Sequence, residues 1–262
     1  MIPLSRLAVQ LFTVREFCKD GASLTTSLRK LRAIGFGAVQ VSGVGPIEPA
    51  EIRRICAGEG MTICATHEAS KRIIEETDAI ADRLDAMGCA LTAYPHPHVP
   101  LTNLAEVRAL AAALDVAGAK LKARGITLCY HNHDMEFRRV AGKPVLEWLY
   151  DLTEPGNLQG EPDTYWVQRG GGDPATWCRK LAGRLPIIHL KDFAYIVNAA
   201  GEVKQAELCM VGDGNLDWAG ILSAARDAGC QWYTIELDRC DGDPFVHLAN
   251  GYNYIRNRLG AA

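Results

Sequence analysis

The chain has 262 residues, 48% of them hydrophobic, and a formal net charge of −3. That length suits one large unit with a sizeable core, because a (β/α)8 barrel takes about 250 residues. The acidic balance and the lack of a long basic run exclude a nucleic-acid partner as an expectation. No apolar run reaches the ~18 residues of a membrane span.

Short apolar runs alternate with helical patterns from end to end. Strands are expected at residues 7–12, 38–42, 62–66, 90–94, 127–130, 158–163, 186–190 and 232–236. Most are rich in β-branched or large apolar residues, as buried parallel strands are. The sixth, carrying Gly160 and Pro162, is placed mainly by its spacing. Leu24, Leu28, Leu31 and Ile34 predict a helix over 22–34. Further helices are expected over 73–87 and 104–123. Asp173-Pro174 and Asp243-Pro244 read as helix starts, an N-cap followed by proline. Gly35, Gly88, Gly125 and Gly229 sit where helices close before strands. Residues 193–215 form the longest stretch without a regular pattern, in the place of a lid or binding loop. Eight strand–helix units without a linker predict an α/β fold, a (β/α)8 TIM barrel, as a single domain over 1–262.

The nine cysteines are odd in number and form no C-x-x-C pair. A disulfide framework or a zinc finger is not expected, and a reducing compartment is. Met1-Ile2-Pro3-Leu4-Ser5-Arg6 lacks a signal-peptide pattern, so the expected location is cytoplasmic.

The polar residues carry the functional signal. Of seven histidines, six fall at or just past an expected strand end: His67, His96, His98, His131, His133 and His189. Glu68, Asp134, Glu136, Asp163, Asp192, Glu236 and Asp238 join them. In a barrel these positions meet on one face. Imidazole with carboxylate suits a divalent Mn, Fe, Co or Zn rather than a thiolate site.

At these residues the sequence resembles the sugar phosphate isomerase/epimerase superfamily, the xylose isomerase-like barrels. The segments that carry it include Val9-Gln10-Leu11-Phe12, Tyr130-His131-Asn132-His133-Asp134-Met135-Glu136-Phe137, His189-Leu190-Lys191-Asp192 and Ile235-Glu236-Leu237-Asp238. The pattern is similar to the branch of inosose dehydratases and keto-glycoside epimerases and lyases. The resemblance implies one divalent metal, manganese first and Co, Zn, Fe or Mg as alternatives. It implies the ligands Asp163, His189 and Glu236, with Glu136 as the fourth and His131 as its alternative. Relatives that repair abasic DNA through three zincs need histidines that the segments after Asp163 and around Asp213 lack.

The expected chemistry is proton abstraction next to a sugar carbonyl, through a metal-stabilised enediolate. Glu136 and Glu236 are expected to flank the reacting carbon, with His133 and Lys191 as further catalytic groups. His67, His98, Trp166 and Phe12 are the expected substrate contacts. Each has a plainer reading: Glu136 paired with Arg138 or Arg139, Lys191 with Asp192 or Asp213, His67 with Glu68, Trp166 and Phe12 as core. A sugar isomerase or epimerase leads, and a lyase or dehydratase of inosose or 3-keto-glycoside type follows. A non-catalytic sugar-binding subunit is the third reading. A phosphate on the substrate is not expected, because Gly170-Gly171-Gly172 reads as a turn. Neither nucleic acid nor membrane is an expected partner; a homo-oligomer is compatible.

Overall fold

The structure is a computed structural model and describes residues 1–261. Eight parallel strands form one sheet: β1 (Leu7–Gln10), β2 (Ala38–Val41), β3 (Thr62–His67), β4 (Leu91–Tyr94), β5 (Thr127–His131), β6 (Gln159–Glu161), β7 (Ile187–Leu190) and β8 (Trp232–Ile235). Their order is β7-β8-β1-β2-β3-β4-β5-β6. The ring closes between β6 and β7, where His189 N donates to Pro162 O at 3.0 Å and Asp163 bridges to His189.

Helices surround the sheet: α1 (Gly21–Ile34), α2 (Pro49–Gly58), α3 (Ser70–Glu75), α4 (Thr77–Met87), α5 (Leu104–Ala123), α6 (Val145–Asp151), α7 (Thr164–Arg169), α8 (Pro174–Lys180), α9 (Trp218–Asp227) and α10 (Pro244–Arg258). Their starts are written in the sequence. Asp20 and Ser23 form a capping box on α1, and Asp173 and Asp243 cap α8 and α10 through their side chains.

The strand period of two sorts the side chains into layers. Outward residues such as Val9, Val39, Leu128, Ile188 and Ile235 are buried against the helices, each contributing about 1.5–3 kcal/mol. Inward residues start as an apolar floor of Ala8, Ala38, Ala65, Ala93, Cys129 and Ile187. Two residues further along on five of these strands stand Gln10, Gln40, His67, His131 and His189, and Glu161 of β6 joins the same layer beside His131. The register sets these side by side: Gln10 faces Gln40 and His131 faces Glu161.

The eight expected strands and the helix over Leu104–Ala123 stand where the pattern placed them. Two expectations change. The helix over 73–87 breaks at Glu76, φ −128° and ψ 39°. There the Thr77 hydroxyl donates to Ile73 O at 2.8 Å, a bond that competes with helix continuation. The irregular stretch over 193–215 begins as an antiparallel hairpin, Asp192–Val197 against Val203–Cys209. Gly160 explains the weak sixth strand, since a Cβ there would stand 2.7 Å from Leu181 Cδ1 in the helix layer.

Candidate metal centre

Four consecutive barrel positions, at the ends of β5 to β8, place His131, Asp163, His189 and Glu236 with one donor atom each within 4.8 Å of one another. All four are buried. His189 Nδ1 lies 2.8 Å from Glu236 Oε2 and 3.8 Å from Asp163 Oδ2. Asp163 caps α7, accepting from Trp166 N through Oδ1 at 3.0 Å. That leaves Oδ2 pointing into the cluster with no hydrogen bond among the described residues, although the Lys191 ammonium stands 3.0 Å away.

Burial and charge set the protonation states. Burial holds the His131 imidazolium well below its ordinary range, so the ring is neutral and has a lone pair to give. Burial also pushes Asp163 up to about 6, against the pull of Lys191. His189 moves the other way, to about 10, because Glu161 and Glu236 outweigh its desolvation. Desolvation opposes the charge of Glu236, yet Lys191 and His189 keep its carboxyl well below the usual range. Two imidazoles, two carboxylates, and orphaned atoms at His131 Nδ1 and Asp163 Oδ2 fit a divalent cation.

Glu136 stands outside this group. It lies in the short turn Met135–Phe137, fully buried, where Oε1 accepts from Tyr130 Oη at 3.0 Å and Oε2 from His133 N at 2.9 Å. Neither Arg138 nor Arg139 pairs with it; their guanidinium groups reach backbone carbonyls. Glu136 ties the loop after β5 to the outward face of that strand, and His131, on the inward face, stands with the other three donors.

Beside the cluster opens a cavity of about 330 Å³. Phe12, His67, His96, His131, His133, Glu236 and Asp238 line it. Phe12 also carries the Arg15 guanidinium, 4.0 Å from its ring centre. His67 bonds to Glu161 and Gln10 rather than to Glu68. His133 stacks obliquely on Trp166, ring centres 5.0 Å apart. His133 Nδ1 and Trp166 Nε1 are buried without a hydrogen-bond partner among the described residues. Burial first, then Lys191, lowers His133 to about 3, so it is neutral. Trp166 backs His133 and does not line the cavity. His98 is elsewhere: Tyr94 Oη holds its Nδ1 at 2.7 Å, and it lines a separate apolar pocket with Ile74, Val99 and Leu110.

Lys191 pairs with neither Asp192 nor Asp213. Its ammonium lies 2.8 Å from Glu236, 2.9 Å from Asp238 and 3.0 Å from Asp163. Sequence reasoning passed over Glu161, a fully buried carboxylate in contact with His67, His131 and His189. Glu161 sits two residues before Asp163, on the same inward face.

Residues 28–256 match the family described as Xylose isomerase-like TIM barrel. Inosose dehydratase of Clostridium perfringens is 25% identical over 170 residues, 60% of this chain and 56% of that protein. Inosose dehydratase of Bacillus anthracis is 24% identical over 173 residues, 62% and 57% of the two chains. The chain thus spans little more than half the length of these relatives. Among solved structures, a sugar phosphate isomerase/epimerase from Parabacteroides distasonis superposes with a TM-score of 0.82 at 18% identity, covering 97% of this chain and 95% of that one. An L-ribulose 3-epimerase gives 0.73 at 17%, covering 96% and 93%. A Mycobacterium smegmatis barrel in complex with magnesium gives 0.71 at 14%, covering 98% of each chain. At these identities the structural likeness speaks for the fold.

No helix of the described residues is long and apolar enough to cross a membrane.

Proposed function

Because the chain belongs to the xylose isomerase-like TIM barrel family, we propose that it is a metal-dependent lyase: it removes a proton beside the carbonyl of a keto-sugar or inosose and expels a neighbouring hydroxyl. His131, Asp163, His189 and Glu236 would hold the cation. A divalent cation there, manganese in the first instance, supplies positive charge against the negative charge that develops on the carbonyl oxygen. A cavity of about 330 Å³ sits at the small end of ligand pockets, the size class of a single sugar ring.

The carrying observation is that Glu236 and Asp238 line the same wall and share one ammonium, Lys191 Nζ, at 2.8 and 2.9 Å. Two proton-transfer groups on one wall suit removal of a proton and protonation of a leaving oxygen from the same side. Epimerisation needs groups on opposite faces of the carbon. The expected opposite carboxylate, Glu136, does not line the cavity. In this reading Glu236 takes the proton, Asp238 meets the leaving oxygen, and Lys191 holds both carboxylates in place. Phe12 covers an apolar sugar face.

Epimerisation is the second reading, favoured by the unpaired Nδ1 of His133 among the imidazoles of the cavity. Inososes and keto-sugars incubated with manganese in heavy water and followed by proton NMR separate the two. Loss of water supports the lyase; deuterium incorporated without loss supports the epimerase. No exchange on any of these substrates sinks both.

A further inference from the structure

One layer deeper in the barrel, three imidazoles crowd a single oxygen. His67 Nε2 touches Glu161 Oε1, and His189 Nε2 and His131 Nδ1 stand 3.1 and 3.2 Å from the same atom. One donor atom from each of the four residues falls within 4.8 Å of the others. Glu161 Oε2 is fixed separately, accepting from Gln40 Nε2 at 2.9 Å. His189 Nε2 donates to Gln40 Oε1 at 2.7 Å, so of the three nitrogens around Glu161 Oε1 only His67 Nε2 is hydrogen-bonded to it. His131 Nδ1, in a ring 3% exposed, is left without a hydrogen bond among the described residues.

We propose that His67, His131, His189 and Glu161 form a second cation seat, alternative to the one above it and selective for zinc-class cations. A cation among these donors would use all four lone pairs at once. A tetrahedral zinc keeps its donors about 3.3 Å apart, given Zn–N bonds of about 2.0–2.1 Å, and two of the pairs already stand near that spacing. The two seats differ in chemistry. The upper has two carboxylates in four donors and suits the harder manganese or magnesium; the lower has three imidazoles and suits zinc, nickel or copper.

The seats also exclude each other. His189 turns Nδ1 to Glu236 and Nε2 to Gln40 Oε1 at 2.7 Å and Glu161 Oε1 at 3.1 Å. A neutral imidazole has one free lone pair, so the ring serves one seat at a time while its other nitrogen donates to the acceptor beside it, Glu236 Oε2 at Nδ1 or Gln40 Oε1 at Nε2. Which cation is bound therefore decides whether charge sits at the cavity mouth or a layer beneath it.

The test is calorimetric titration of the metal-stripped full chain with zinc and with manganese, each variant checked by thermal melting. His67→Gln should weaken zinc at least about tenfold and change manganese less than about threefold. Asp163→Asn, or Glu236→Gln where loss of the α7 cap prevents folding, should weaken manganese at least about tenfold and leave zinc nearly unchanged. X-ray absorption of the zinc form should show three imidazoles. Parallel loss of both metals in these variants, unchanged zinc affinity in His67→Gln, or two zincs bound together would overturn the proposal. Failure of every keto-sugar substrate with this split intact would count against the proposed reaction and leave the seat standing.

Discussion

Lys191 Nζ lies 2.8 Å from Glu236 Oε2, and it also touches Asp163 and Asp238 within 3.0 Å. A fully buried ammonium thus sits among three carboxylates, two of them in the donor set of the upper centre. Removing one partner of a buried ion pair leaves uncompensated charge and costs about 3–5 kcal/mol. Lys191→Met should therefore lower stability by about that amount in a chelator. A divalent cation should restore part of the loss, because it brings positive charge to the same carboxylates. Urea unfolding with EDTA and with manganese checks this. An equal gain from manganese in the variant and the parent would show that Lys191 and the cation do not share those carboxylates.

Glu136 and His131 make opposite predictions for the fourth ligand. Glu136→Gln keeps one acceptor for two donors, Tyr130 Oη and His133 N, so it should cost about 1–3 kcal/mol of stability. Its manganese affinity should stay within about threefold, since Glu136 lies outside the donor group. His131→Gln should reduce manganese affinity at least about tenfold with a smaller stability loss. The reverse pattern would return Glu136 to the centre.

These two residues mark where the sequence is readable. Strand count is legible because seven of the eight strands carry their own apolar run and the sixth falls at the expected spacing, whereas Asp163, His189 and Glu236 are read from the resemblance to the family's ligand pattern. Glu136 misled because it is a metal-type residue close to a strand end; only the turn Met135–Phe137 shows that it returns to the outward face beside Tyr130. Glu161 was hidden for a different reason. It lies in a strand of Gln159–Glu161 with almost no apolar signal, and its role depends on three histidines from β3, β5 and β7. No local pattern encodes that convergence.

Asp192 organises the long excursion after β7. Its carboxylate accepts from the amides of Phe193, Gly212, Gly214 and Leu216 and from the Trp218 indole, at 2.6–3.2 Å. Asp192→Ala would leave these donors unpaired, at a cost on the order of 3–5 kcal/mol. The first consequence should be local: faster proteolysis and amide exchange over the segment after β7, at denaturant concentrations where the barrel stays folded. Uniform acceleration across the chain would mean that Asp192 supports the whole barrel rather than its loop.

The buried thiols give a pH prediction with a definite sign. Burial pushes Cys18 up to about 11 and Cys56 up to about 12. In an unfolded chain a thiol titrates near 8.5. The folded state therefore holds these protons more tightly. Their contribution to stability is complete below about pH 8.5 and is lost as pH rises toward 11, at up to about 1.4 kcal/mol per pH unit for each thiol. Stability measured by urea unfolding should fall from pH 8.5 to 10.5, and the fall should shrink in Cys18→Ala/Cys56→Ala relative to the parent. At pH 8 Cys18 and Cys56 are therefore held as thiols, the unreactive form. Iodoacetamide on the native protein should then label the partly exposed Cys240 well before Cys18 or Cys56, as read by peptide mass spectrometry. Equal native labelling of all three would show that the α1–α2 layer opens on the timescale of the reaction.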